Sequence, residues 1–207
     1  PLGLGVAVLL NQEFRGRTVA RVCLLLPWAT PPIIVALMFW WIFNASYGIM
    51  NFTLLTSGAI PERISFFSTP FIVLNTLAII FVWKVFPLYA ILFLSSLQNV
   101  PAEVLESSSL YGAGRIRRFR RIVFPYLKPT LAINCVLNAL LSLLYSFDLV
   151  VAITLGGPGY ESYMLSFYAY LTTFWYLDAG YGATIAYFTT ALALIFAFAS
   201  IKLWYKS

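Results

Sequence analysis

Four stretches of this chain run for roughly the length of a membrane-spanning helix with almost no charge. Residues 22–43 carry no charged side chain, and residues 71–97, 131–153 and 183–204 carry one each: Lys84, Asp148 and Lys202. A helix of about 20 apolar residues crosses a hydrocarbon core of about 30 Å, and in lipid every backbone polar group must be bonded internally. Only 10% of the chain is charged and 61% is hydrophobic, against about 25% charged in a soluble domain. The expected fold class is therefore all-α, a polytopic membrane helical bundle forming a single transmembrane domain over residues 1–207. Residues 1–10 are apolar and lack an initiating Met. They read as the end of a further spanning helix rather than a signal peptide, and the chain as a fragment lacking its N-terminal helix or helices.

Charge placement predicts orientation. With residues 11–21 cytoplasmic, the inner side holds Arg15, Arg17, Arg21, Arg115, Arg117, Arg118, Arg120, Arg121, Lys128, Lys202 and Lys206. The outer loops hold only Arg63. That asymmetry follows the positive-inside rule, so the net charge of +6 needs no nucleic-acid partner. Residues 98–129 and the C-terminus are then cytoplasmic, in a multi-pass membrane protein. The chain contains no histidine, and its two cysteines, Cys23 and Cys135, lie in or beside apolar runs. No metal site and no disulfide framework is expected.

Residues 100–129, "VPAEVLESSSLYGAGRIRRFRRIVFPYLKP", are the polar exception. Pro101 suits a first helical turn, and Glu103 and Glu106 suit the positive end of a helix. Gly112-Ala113-Gly114 would end that short helix. In a second helix Ile116, Phe119, Ile122, Val123 and Tyr126 share one side opposite Arg117, Arg118 and Arg121, giving a basic amphipathic helix at the membrane surface. Phe124-Pro125 and Lys128-Pro129 are expected to turn the chain into the next span. A basic interfacial loop accounts for the arginines alone. The separate acidic helix and glycine hinge suggest a handle for another protein.

This segment resembles the "EAA" loop of permease subunits of binding-protein-dependent ABC importers. Glu106-Ser107-Ser108 stands where Glu-Ala-Ala is usual, with Gly112-Ala113 at the expected distance and Phe119, Ile122, Pro125 and Pro129 after it. Serines replace both alanines, and Tyr111 stands where an Asp usually precedes the glycine. "WKVFPLYAILFLSSLQNVP", "SFDLVVAITLGGPG" and "DAGYGATIAYFTTALALI" extend the resemblance to the carbohydrate-uptake branch, of the maltose transporter F and glycerol-3-phosphate permease A kind. The resemblance implies the type I importer permease fold, with Glu103, Glu106, Ser107, Ser108, Tyr111, Gly112 and Ala113 coupling to an ATPase. It also implies a second homologous permease forming a heterodimer, two ATP-binding subunits and an extracytoplasmic solute-binding protein. No Gly-x-x-x-x-Gly-Lys-Ser/Thr run occurs. The chain is expected not to be an enzyme and to hold no cofactor, ATP and Mg residing on the partners.

Within the spans, Asn134, Asn138, Ser142 and Ser146 recur every four residues with Tyr145 alongside. Such a stripe either lines a pathway or supplies hydrogen bonds between helices. Lys84 lies mid-span and needs a partner or water, and Pro87 is expected to break the helix beside it. Trp83, Lys84, Leu88, Asn134 and Asn138 form the expected solute pocket, with Ser142 and Tyr145 on the path. "LGGPGYES", residues 155–162, has the chemistry of a plain turn; the resemblance implies instead that it lies where the binding protein docks. An ion-gradient-driven secondary transporter is the rival class, for which embedded acids would be needed.

Overall fold

The computed structural model describes residues 1–110 and 114–205. Its helices are α1 (Leu2–Leu10), α2 (Arg17–Ala29), α3 (Pro32–Ile42), α4 (Ile49–Thr56), α5 (Ile72–Gln98) and α6 (Ala102–Leu110). They are followed by α7 (Arg115–Arg118), α8 (Phe124–Leu149), α9 (Leu165–Tyr170) and α10 (Ala179–Tyr205). Five-residue π-helical stretches cover Phe119–Val123, Val150–Thr154 and Leu171–Trp175. Among the described residues there is no strand. Three helices are long and apolar enough to cross a membrane: Ile72–Gln98, Ile116–Thr154 and Ala179–Trp204. The pair α2 and α3 passes the same test together.

The prolines act differently from the sequence expectation at three places. Residues 22–43 do not form one unbroken span, because Pro31-Pro32 separates α2 from α3. A residue before proline is driven out of the α region, and Pro31 takes φ −54°, ψ 138°. Pro87, by contrast, lies inside an unbroken α5. A single proline removes one backbone bond, and in lipid the helix keeps the rest rather than expose them. Nor do Pro125 and Pro129 turn the chain: helix is continuous over Ile116–Thr154, 39 residues. The wider π-helical turn at Phe119–Val123 precedes Pro125 and makes room for its ring.

The chain divides into two compact units. Unit 1 comprises residues 1–29, 85–139 and 194–207. Its core gathers Ala7, Leu10, Phe93, Leu94, Leu97 and Leu127, with Leu24, Tyr89, Phe119, Val123 and Leu131 packed against them. Helix α1 approaches α5 closely at Gly3, where a Cβ would stand 3.1 Å from the Ala90 nitrogen. Small residues permit such contact between membrane helices. Unit 2 comprises residues 30–84 and 140–193. Its core joins Val35, Ala36, Phe43, Val73, Leu77, Ile80, Leu149, Val150 and Phe167. Phe39 meets Trp83 edge-on at 5.0 Å, and Phe43 lies 4.9 Å from Phe66. From α4, the buried Asn51 amide donates to the Ile64 carbonyl and accepts its N–H, both at 2.9 Å.

Candidate functional site

Within unit 2, α5 and α8 face each other across a cavity of about 520 Å³. Leu74, Leu77, Ala78 and Phe81 line it from α5, Ser142, Leu143, Ser146 and Leu149 from α8, and Tyr163–Ser166 closes it. Spacings of three and four residues put each lining set on one helix face. The Ser146 hydroxyl donates to the Leu143 carbonyl at 3.2 Å and lies 3.5 Å from the Ser166 hydroxyl. The walls are thus apolar and aromatic, with a few hydroxyls that can donate and accept. Solute sites of this size have that make-up, apolar area with sparse polar groups fixing orientation.

A turn delivers the closing segment. After the π-helical stretch ending at Thr154, Leu155 takes φ 50° and Gly156 φ 91°. A Cβ at Gly156 would meet the Tyr163 ring, so glycine is required twice over. The fully buried Ser162 then ties the turn. Its hydroxyl donates to the Gly157 carbonyl at 2.6 Å and lies 2.7 Å from the Thr154 hydroxyl. Tyr163 follows, packed edge-on against Tyr160 and Phe167, each at 5.3 Å. Residues 155–162 therefore form a tied turn that positions Tyr163–Ser166.

The residues of the expected pocket fall in both units. In unit 2, Trp83 packs on Phe39. The buried Lys84 donates to the Thr30 carbonyl at 2.5 Å and sits 5.3 Å above the Tyr145 ring. In unit 1, Leu88 is half-buried, and Asn138 accepts a hydrogen bond from the Tyr89 hydroxyl at 3.1 Å. Asn134 is buried, and among the described residues neither amide atom has a partner. Of the polar stripe, Ser142 and Ser146 line the cavity. Tyr163 and Ser166 escaped the sequence reading because they lie beyond the turn, with no spacing to tie them to α8.

On the expected coupling segment, α6 covers residues 102–110. Glu103, Glu106 and Ser107 are exposed and Ser108 is buried. Both serines fold back on their own helix, Ser107 donating to the Val104 carbonyl at 3.1 Å and Ser108 to the Leu105 carbonyl at 2.7 Å. Tyr111, Gly112 and Ala113, and with them the expected hinge, lie outside the described residues. The expected apolar face is narrower than its sequence pattern: Phe119 and Val123 pack into the unit 1 core with Leu127, whereas Ile116 and Tyr126 are exposed. A four-residue spacing follows the row that docks on the core, and residues beside that row stay outside.

The model of the family "binding-protein-dependent transport system inner membrane component" matches residues 1–206. The sulfoquinovosyl glycerol transport system permease protein SmoG of Agrobacterium fabrum is 34% identical over 193 residues, 93% of this chain and 62% of its own. The trehalose/maltose transport system permease protein MalF of Thermococcus litoralis is 35% identical over 202 residues, 97% of this chain. The chain thus spans 62% and 67% of the length of these two relatives. Among solved structures, the fold matches a chain of a bacterial ABC transporter involved in import of the acidic polysaccharide alginate. The TM-score is 0.84 at 20% identity, covering 98% of this chain and 71% of that one. With a fold of membrane helices and a family match from end to end, the chain belongs to the binding-protein-dependent transport system inner membrane components.

Proposed function

We propose that this chain is a membrane-spanning permease subunit of an ATP-driven importer, forming a path for a sugar, oligosaccharide or glycerol-phosphate-like solute. The observation that carries the reading is the unit 2 cavity, joined to the family match. Apolar and aromatic walls suit the C–H faces of sugar rings, and the hydroxyls of Ser142, Ser146 and Ser166 suit their polar edges. Two relatives bear the names of sulfoquinovosyl glycerol and trehalose/maltose permeases, and a solved relative in fold is described with an alginate pentasaccharide-bound periplasmic protein.

ATP hydrolysis belongs to two separate ATP-binding subunits, which grip the exposed acidic side of α6 and the Tyr111–Ala113 segment. A second, similar permease completes the membrane domain, and an extracytoplasmic binding protein delivers the solute. Basic loops face the cytoplasm, as the charge asymmetry requires. The test is reconstitution of the full-length protein with its partners in liposomes, followed by uptake across a sugar panel. ATP-dependent uptake that needs the binding protein is expected. Uptake driven by an ion gradient without ATP would overturn the reading in favour of a secondary transporter. Gly112→Asp should separate solute uptake from ATP hydrolysis in the assembled complex.

A further inference from the structure

Lys84 has no place in the cavity lining, yet it is 3% exposed in the middle of a membrane helix. Its position answers a problem created by the α2–α3 break. Pro31 and Pro32 bring no N–H, and the Ile34 and Val35 N–H groups both bond to the Pro31 carbonyl at 3.1 Å. Thr30 stands just ahead of this turn, between Ala29 of α2 and Pro31. The Lys84 Nζ meets its carbonyl at 2.5 Å and also lies over the Tyr145 ring of α8. A cation at a helix C-terminus is favourable, the more so away from water.

We propose that Lys84 is a positioning residue: its ammonium ties the Thr30 carbonyl, just ahead of α3, to the Tyr145 ring, fixing the start of α3 as a joint against the cavity-lining helix. The space beside Lys84 is far too small for a solute. It holds about 10 Å³ among Pro32, Val35, Phe81, Tyr145 and Leu149, about the room of a single water. Phe81 and Leu149 also line the large cavity, so the joint and the cavity share walls. Movement of the start of α3 is thereby transmitted to the turn of α8 that carries Tyr145.

The test uses the full-length permease in its native assembly, with Lys84→Met and Lys84→Arg. Hydrogen exchange of residues 33–35, measured without solute, should speed up at least about tenfold in Lys84→Met and stay near wild type in Lys84→Arg. Maximal uptake should fall at least about tenfold in Lys84→Met with KM within about threefold, and Lys84→Arg should restore it. A raised KM at unchanged maximal rate would make Lys84 a solute ligand and overturn the proposal, as would unchanged exchange. If Lys84→Met does not assemble, Lys84→Arg decides: exchange near wild type with KM unchanged supports the joint, and a raised KM or faster exchange defeats it. The kinetic arm rests on the proposed transport. A wild-type complex that imports no sugar defeats that reading, while exchange still decides the role of Lys84.

Discussion

Helices α5 and α8 each contribute to both units, and their polar residues meet opposite fates there. In unit 1, Ser96 and Thr130 pair by their hydroxyls, and Tyr89 reaches Asn138. Polar groups on α8 are spent there on holding it to α5. In unit 2, Ser142 and Ser146 continue the same four-residue spacing but face a cavity of about 520 Å³. One periodic stripe thus supplies helix-to-helix bonding over one half and lines a cavity over the other. Spacing places a polar side chain on a face; whether a helix or a space lies opposite decides its use.

The sharpest way to test that division is to fill the space. Ser146→Trp puts an indole into the cavity, and solute uptake is expected to fall about 100-fold, the equivalent of about 2.7 kcal/mol. Ser146→Ala removes one hydroxyl at nearly constant volume, and the loss should be nearer fivefold, the worth of about 1 kcal/mol for a hydrogen bond. Uptake kinetics of the assembled complex would read both. Equal, small effects from the two substitutions would show that the solute passes elsewhere.

The division itself could not be seen in the sequence. A window charged only at Lys84 placed α5 at residues 71–97, and the helix covers 72–98, because length and apolarity alone define a span. The break at Pro31-Pro32 was misjudged since one proline and two consecutive prolines differ in kind. Pro87 forfeits one bond inside α5, whereas Pro31 and Pro32 forfeit two in succession and Pro31, standing before Pro32, takes extended geometry. Ser142 was legible from its spacing along α8. Tyr163 and Ser166 were not, because Ser166 stands 20 residues from Ser146, past a turn whose course depends on Gly156 and the buried Ser162. The pairing of Tyr89 with Asn138 spans 49 residues, and nothing local announces it.

Asn134 marks where the bonding pattern of unit 1 is incomplete. It sits between Thr130 and Asn138 on α8, buried, with both amide atoms unpartnered. An unsatisfied buried polar group costs about 1–3 kcal/mol, and replacing it by an apolar group of similar shape is neutral or stabilising. Asn134→Leu should therefore stabilise the permease by about 1 kcal/mol, read as a higher midpoint in thermal unfolding of the assembled complex in detergent. Destabilisation would mean that the amide is engaged in the assembly, and would move Asn134 from the bonding half to the functional half of the comparison.

The smallest effect is the most direct measure of what the bonding half contributes. Tyr89→Phe removes the donor and Asn138→Leu the acceptor of the 3.1 Å contact. A double-mutant cycle isolates their interaction, provided neither substitution makes new contacts. Side-chain hydrogen bonds between membrane helices average about 0.6 kcal/mol and reach about 1.7 kcal/mol, because polar groups in the unfolded membrane state also find partners. The coupling energy of this pair, from denaturant titration of the assembled permease, should lie within that range. A value near zero would mean that α8 is held to α5 here by the Ser96–Thr130 pair and the apolar packing of Phe93, Leu94 and Leu127. Asn138 would then owe its place in the stripe to something other than its bond to α5.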